Sequence, residues 1–231
     1  MAAQVGPGAA GSGTMLPEAP WTLTGEVIVT FVRRPPGSGG FALPPGLQPL
    51  PGPAVLWAGH WARTPVGPFS ELAVAVPARL GLRPGLCITM SVVNNADARM
   101  AGRIGWGLPR QLGALRWVAF GRRRSLGWAD RDLEVRADVR PGVGPFTKAL
   151  RGLQRRGDGL VVVPTRLTGW IRRARVVVDV APEDDLATIA GPRRGWIVSG
   201  RSLVLQPARR PAGLLRTLLA PRLEPEAVPG G

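Results

Sequence analysis

The sequence predicts a mainly β, α+β fold in which one domain of about eight to ten short strands carries a few short helices. Many short runs are apolar or alternate between apolar and polar residues, as strands do. The 32 glycines and 25 prolines fall mostly between these runs, where they favour turns. Helical periodicity is sparse, and 231 residues suit one globular domain.

Nine segments are predicted as strands. "EVIVTFVR" (26–33) is apolar on both faces and is predicted to be central, whereas "DLEVRADV" (132–139) alternates and is predicted to be half exposed. The other strand candidates are 55–62, 71–76, 86–93, 115–120, 160–163, 173–180 and 202–206. Capping residues and start and stop signals predict short helices at 95–102, 145–156 and 182–191.

Both ends of the chain are rich in Gly, Pro and Ala and lack periodicity. This composition predicts a disordered tail over 1–19, a β domain over 20–210, and a short helix with a disordered tail over 211–231. The Pro/Gly stretch 36–54 is predicted to be a surface loop, because too few residues precede it to form a domain. No signal peptide pattern and no apolar run of about 18 residues is found, so a cytoplasmic protein without a membrane partner is expected.

The formal net charge is +15, and Lys148 is the only lysine among the 30 basic residues. Such a charge suits an anionic partner. The arginines, however, form short groups along the whole chain, without a recognition helix, zinc finger or RNA-binding signature. Solvated surface arginine and no specific nucleic-acid partner are therefore expected, and an Arg-rich binder of nucleic acid or anionic membrane stays as an alternative.

The usual reactive groups are scarce. Cys87 is the only cysteine, which excludes an internal disulfide, and its apolar context predicts that it packs as a small hydrophobe. His60 is the only histidine and is predicted to be a packed or rim residue beside Trp57 and Trp61. No metal site and no cofactor are expected.

The segment "GRIGWGLPRQLG" (102–113) is unusually constrained. Gly105 and Gly107 permit close backbone approach, Trp106 supplies an apolar wall and Pro109 fixes a turn. The segment lacks both the Walker lysine and the G-x-G-x-x-G order of nucleotide loops.

This segment resembles the signature of the acetoacetate decarboxylase family, close to G-R-E-x-W-G-F-P-K-K-L-G. The matching residues are Gly102, Arg103, Trp106, Gly107, Pro109, Leu112 and Gly113. Upstream, "PVGPFSELAVAVP" (65–77) resembles the family's G-P-Y-x-E strand, with Glu71 at the acidic position. "PWTLTGEVIVTF" (20–31) and "LPPGL" (43–47) are similar to the first strand and the proline-rich segment that follows it.

The resemblance implies an antiparallel β-rich cone or barrel around a small, largely apolar pocket, and a homo-oligomer. It also implies Schiff-base decarboxylation of a β-keto acid by a lysine that a neighbouring cation activates, for which acetoacetate decarboxylase is the standard example.

Four positions depart from the family pattern. The position of the nucleophilic lysine holds Arg110, and that of its cationic neighbour holds Gln111. The guanidinium group of arginine stays protonated and cannot form an imine. Ile104 replaces the motif's glutamate, and the family's first-strand arginine is missing from "LTGEVIV", where Glu26 lies nearest. Lys148 lies well past the motif and is predicted to be a solvated helix residue.

The leading hypothesis is an acetoacetate decarboxylase-like protein whose pocket binds a small organic keto acid without classical decarboxylase activity. The resemblance places Arg110, Arg103, Glu71, Trp106 and Gln111 as its ligand-binding residues, with the anion held by the planar fork of arginine. Two alternatives remain open. One is a lysine-independent lyase or isomerase with Glu71 as the acid or base. In the other, Glu71, Arg103 and Arg110 only neutralise one another as buried charges.

Overall fold

The structure is a computed structural model that describes residues 16–34, 41–142 and 144–211. The predicted tails over 1–19 and 211–231 lie almost wholly outside the described residues, as does the beginning of the predicted surface loop at 36–54. Within the described part of the chain, no helix is long and apolar enough to cross a membrane.

The described chain forms twelve strands and one α-helix. The strands are β1 (Trp21–Val32), β2 (Gln48–Pro49), β3 (Ala54–Arg63), β4 (Phe69–Leu80), β5 (Arg83–Val93), β6 (Arg110–Leu112), β7 (Leu115–Phe120), β8 (Arg123–Trp128), β9 (Leu133–Val139), β10 (Gly144–Arg156), β11 (Gly159–Asp179) and β12 (Gly191–Leu205). The helix α1 (Ala96–Trp106) lies between β5 and β6. The mainly β prediction is therefore confirmed.

Seven of the strands close into a ring. Their order is β10-β5-β4-β3-β1-β12-β11, and β10 also pairs with β11. All of these pairings are antiparallel except the one between β10 and β5, which is parallel and joins Gly152 to Leu86. Strands β9, β8 and β7 continue from the edge of β11 and form a second layer against the outside of the ring.

Strand β1 buries side chains on both of its faces, because successive side chains point to opposite sides of a strand. On β1, Val27 belongs to the core inside the ring together with Phe69 and Trp106, whereas Ile28 belongs to the core outside it together with Leu126 of β8. This explains why β1 is apolar on both faces. Strand β9 covers the outer core with one face only, and it shows the alternation that the sequence predicted.

The predicted helix at 145–156 is wrong, since these residues form β10. Every residue of β10 lies opposite a residue of β11, and the two strands meet at a tight turn where Gly157 has a φ of 60°. Pairing with a strand as rich in valine as β11 outweighs the helical propensity of this segment.

Two further segments differ from expectation. The predicted helix at 182–191 is wrong, because only a 3-10 turn forms at Ala187–Ile189. Its acidic residues Asp184 and Asp185 instead pair with Arg131. The predicted strands 160–163 and 173–180 are parts of the single strand β11.

The predicted helix at 95–102 is confirmed as α1, with Asn95 accepting a hydrogen bond from the Ala98 amide as its N-cap.

Helix α1 ends at Gly107, whose φ of 69° lies in the left-handed region. A Cβ atom built at Gly107 would lie 2.2 Å from the Arg155 carbonyl oxygen, whereas one built at Gly105 would meet nothing within 4 Å. The expected close backbone approach is therefore real at Gly107 and wrong at Gly105, which faces open space.

We expect Gly107→Ala to lower the free energy of unfolding by roughly 2 kcal/mol or more, from left-handed strain plus the clash with Arg155. Gly105→Ala is the matched control, and it should be neutral or stabilise the protein by up to about 1 kcal/mol, because alanine favours the helix. Urea unfolding followed by tryptophan fluorescence measures both changes. Equal effects of the two substitutions would contradict this account.

Candidate functional site

Glu71 and Arg110 form a buried ion pair inside the ring. The Nε and Nη2 atoms of Arg110 lie 3.1 and 3.0 Å from Oε1 of Glu71. The side chains of Arg110 and Glu71 are only 2% and 3% exposed. The structure therefore brings together two of the residues that the sequence singled out.

Other groups complete the hydrogen bonding of this pair. Ser91 Oγ donates to Glu71 Oε1 at 2.9 Å, and Trp61 Nε1 donates to Oε2 at 3.3 Å. Arg110 donates from Nη1 to the Ala98 carbonyl at 2.8 Å and lies over the ring of Phe69. Because both charges are matched and hydrogen-bonded, they are stable in a site that water does not reach.

The constrained motif positions Arg110. Strand β6 pairs in parallel with β5, which sets Arg110 opposite Ser91, the same residue that donates to Glu71. Glycine at position 102 makes room for the side chain, since a Cβ atom there would lie 2.5 Å from Cδ of Arg110. Gly102 therefore lets α1 pack directly against the buried guanidinium group.

The other predicted site residues lie outside this network. Trp106 is buried, donates from Nε1 to the Gln206 carbonyl at 2.9 Å, and packs edge-on against Trp21. Arg103 and Gln111 are exposed. The structure thus places Arg103 apart from the Glu71–Arg110 pair, and a ligand-binding role for these three residues stays a prediction.

His60 and Cys87 both lie in apolar strands. His60 Nδ1 is 3.2 Å from Ser70 Oγ, and burial lowers the pKa of its imidazole, which favours the neutral form. Burial also raises the pKa of the Cys87 thiol to about 12, so the reactive thiolate is strongly disfavoured. Cys87 is fully buried, and the prediction that it packs as a hydrophobe is confirmed.

The location of Lys148 differs from expectation. It lies on strand β10 opposite Leu167, which in turn lies opposite Leu203 of the inner core. Residues directly opposite on neighbouring strands share a face, so Lys148 is on the inner face of the ring, although its side chain is exposed. The predicted helix missed this placement, because it assumes the 3.6-residue period of a helix and not the two-residue period of a strand.

Trp57 is a candidate site residue that sequence reasoning did not select. It lies opposite Ala73, two positions from Glu71 on β4, so its side chain shares the inner face with Glu71. Its Nε1 atom is buried and has no hydrogen-bond partner among the described residues. Buried indole N–H groups usually find a partner, so this one is an available donor inside the ring. The spacing of Trp57 and Trp61 in "WAGHW" places both indoles on one strand face and was the available signal.

In the part of the chain that the structure describes, no three or more His, Cys, Asp or Glu residues cluster as metal ligands would. The inner face carries more hydrogen-bond donors than acceptors: the Glu71 carboxylate, the Arg110 guanidinium group, the Ser91 hydroxyl, the Trp61 indole N–H and the unpartnered Trp57 indole N–H. It is suited to holding an anion or a carbonyl oxygen, because each free donor needs an acceptor.

Comparison with known proteins identifies a matching family and several solved structures of the same fold. Residues 6–153 match the family described as acetoacetate decarboxylase (ADC). The enduracididine biosynthesis enzyme MppR, in complex with pyruvate, is a structural match with a TM-score of 0.63, 18% identity, and coverage of 87% of this chain and 93% of that chain.

Two further solved structures share the fold. Acetoacetate decarboxylase from Legionella pneumophila has a TM-score of 0.64 at 14% identity, with 86% of this chain and 90% of that chain covered. An acetoacetate decarboxylase-like enzyme from Sphingomonas wittichii RW1 has a TM-score of 0.62 at 14% identity, with 87% and 98% covered. Curated protein sequences give no significant match.

We expect Arg110→Met to lower the free energy of unfolding by about 3–5 kcal/mol, because it leaves the Glu71 carboxylate buried without its cation. The double variant Arg110→Met/Glu71→Leu removes both charges and should recover much of this loss. Arg103→Met, an exposed arginine of the same motif, is the control and should change stability by less than about 0.5 kcal/mol. Urea unfolding measures all three, and a cost for Arg110→Met no larger than that of the control would refute the structural role of the pair.

Proposed function

Because the chain belongs to the acetoacetate decarboxylase family, we propose that it binds a small organic keto acid inside its ring of strands without decarboxylating it through a Schiff base. The observation that carries this proposal is the buried, unpartnered Trp57 N–H on the same inner face as the Glu71–Arg110 pair. A ligand oxygen at this point supplies the acceptor that the protein does not.

The chemistry of position 110 supports binding over imine formation. Arg110 occupies the motif position at which the family places its nucleophilic lysine, and a protonated guanidinium group has no free electron pair for attack on a ketone. The only lysine, Lys148, is exposed and lies outside the motif. An exposed amine lacks the desolvation that activates an imine-forming lysine.

Arg110 has more N–H donors than its partners in the protein use. A guanidinium group has five N–H donors. Nε donates to Glu71 Oε1, which also lies 3.0 Å from Nη2, and Nη1 donates to Ala98, so at least one N–H on each terminal nitrogen remains. Together with Trp57, these donors suit a carboxylate and an adjacent carbonyl oxygen. The pyruvate bound to MppR is a ligand of this kind, on the same fold.

The alternative in which Glu71 is the acid or base of a lyase or isomerase gains less support. Its two oxygens already accept hydrogen bonds from Ser91, Trp61 and Arg110. A general base must reach the proton that it abstracts. A carboxylate with three donors and 3% exposure serves better as the fixed counterion of Arg110.

A lysine moved to position 110 reports whether a keto acid reaches the pair. We expect Arg110→Lys/Lys148→Arg, incubated with acetoacetate and borohydride, to give a reduced adduct on residue 110, because its amine replaces the guanidinium group beside the ligand. Peptide mass spectrometry locates the adduct and separates it from one on the amino terminus. Lys148→Arg alone is the control and should give no adduct within the β domain.

The unaltered protein tests the other half of this proposal. With acetoacetate and borohydride it should form no adduct on Lys148 and release no carbon dioxide. A trapped adduct on Lys148 accompanied by carbon dioxide release would overturn the absence of Schiff-base chemistry.

We expect Trp57→Phe to weaken the binding of pyruvate or acetoacetate by about tenfold or more, because it removes a buried donor to a charged acceptor while keeping an aromatic ring. Isothermal titration calorimetry measures the dissociation constants. Trp170→Phe, on the outer face of the ring, is the matched control and should leave them unchanged. Equal weakening by both substitutions would contradict a site inside the ring.

A further inference from the structure

A concave site lies on the outer face of β11 and β12. It is a cleft of about 440 Å³ lined by Arg122, Arg140, Trp170, Arg172 and Ser199, among others. Trp170 is 46% exposed, an unusual state for a tryptophan. Trp170 and Arg172 occupy even positions of β11, as do Ala174 and Val176 of the outer core, so this cleft is separate from the Glu71–Arg110 pair.

Three arginines from different segments converge on the cleft. Arg122 lies just before β8, and its carbonyl accepts a hydrogen bond from the Val139 amide at the end of β9. The Arg140 amide donates to the Arg173 carbonyl of β11. These backbone bonds fix the backbone positions of Arg122 and Arg140 beside Arg172. Among the described residues that line the cleft there is no carboxylate. The cleft is therefore positively charged.

Arg172 has hydrogen-bonding capacity left over. Its Nη2 atom lies 3.4 Å from Ser199 Oγ and 3.5 Å from Glu26 Oε1, both long contacts. The other oxygen of Glu26 is bound by Arg124. The Nε atom of Arg172 is buried and has no hydrogen-bond partner among the described residues. An oxyanion in the cleft would give this donor the acceptor that it lacks.

The backbone fixes the position of Trp170. The pairing of β11 with β12 shifts register between Thr168 and Trp170, which brings Trp170 opposite Ser199. A Cβ atom at Gly169 would lie 2.6 Å from the Ser199 carbonyl oxygen, and Gly200, with a φ of 93°, lies against the indole. The bulge and its glycines thus hold the indole at the mouth of the cleft.

The face of this indole is available. In the part of the chain that the structure describes, cation–π contacts involve Phe69 and Trp128 but not Trp170. A half-exposed indole beside several arginines combines a stacking surface with charge-assisted donors. The volume of the cleft lies in the range of small-molecule sites.

From this geometry we propose that the cleft binds a planar aromatic anion. The aromatic ring of the ligand stacks on Trp170. The carboxylate or phosphate group of the ligand accepts hydrogen bonds from Nε of Arg172 and from the side chains of Arg122 and Arg140. An aryl carboxylate and an aromatic mononucleotide share this chemistry.

Calorimetric titration with benzoate and with AMP tests the proposal and distinguishes an aryl carboxylate from a mononucleotide as the ligand. Adenosine lacks the anion and cyclohexanecarboxylate lacks the aromatic ring, so each should bind at least about tenfold more weakly than its counterpart. Trp170→Leu and Arg140→Gln each change an exposed side chain and should weaken the binding of the better ligand by about tenfold. Trp57→Phe, inside the ring, should leave it unchanged, and added salt should weaken it.

Binding of AMP alone, of benzoate alone or of both supports the proposal and shows which of the two ligand classes the cleft binds. The proposal is overturned if neither binds at millimolar concentration, if adenosine binds as well as AMP and cyclohexanecarboxylate as well as benzoate, or if Trp170→Leu has no effect. Binding of a thymidine oligonucleotide without binding of AMP or benzoate also overturns it and indicates a surface for single-stranded nucleic acid. Urea unfolding of the variants confirms that they are folded.

Discussion

The interior of the ring depends on one electrostatic constraint: a guanidinium group that is buried must be neutralised and hydrogen-bonded where it lies. Glu71 supplies the charge and the Ala98 carbonyl supplies a further acceptor. This requirement ties β4, β5, β6 and α1 to one another through the Glu71–Arg110 pair, which Ser91 and Ala98 complete. It also explains the glycine at position 102, since α1 must approach Arg110 there without a Cβ atom between them.

Local pattern predicted much of the fold. The apolar runs located six of the seven ring strands, and the Asn95 cap located α1. Predictions from local pattern were wrong where pairing with a distant strand decides the structure. The residues around Lys148 carry no strong strand signal of their own and become β10 only because β11 is long enough to pair with all of them. The strand β8 was also missed, because the two arginines that begin it obscure the alternation that buries Leu126 and Trp128.

The candidate site was predicted in part. The resemblance to a family motif was enough to select Glu71 and Arg110, which do meet, but motif membership does not tell which way a side chain points. Arg103 and Gln111 are in the same short segment and face solvent, because a helix and a strand turn neighbouring residues in different directions. Trp57 lies outside every motif, and only the register of β3 against β4 shows that it shares a face with Glu71.

The ring is closed unevenly. Strand β10 is joined to β11 along all 13 of its residues, but it meets β5 at the single pair of Gly152 and Leu86. On the outside of this junction lies a groove of about 700 Å³, lined in part by Arg83, Arg151 and Arg209. Few backbone hydrogen bonds join β5 and β10, so this junction has the least backbone pairing of any in the ring. Closure of the ring at this junction therefore depends less on backbone pairing than on side chains, because Leu153 and Cys87 share one core cluster and Arg151 donates to the Pro84 carbonyl.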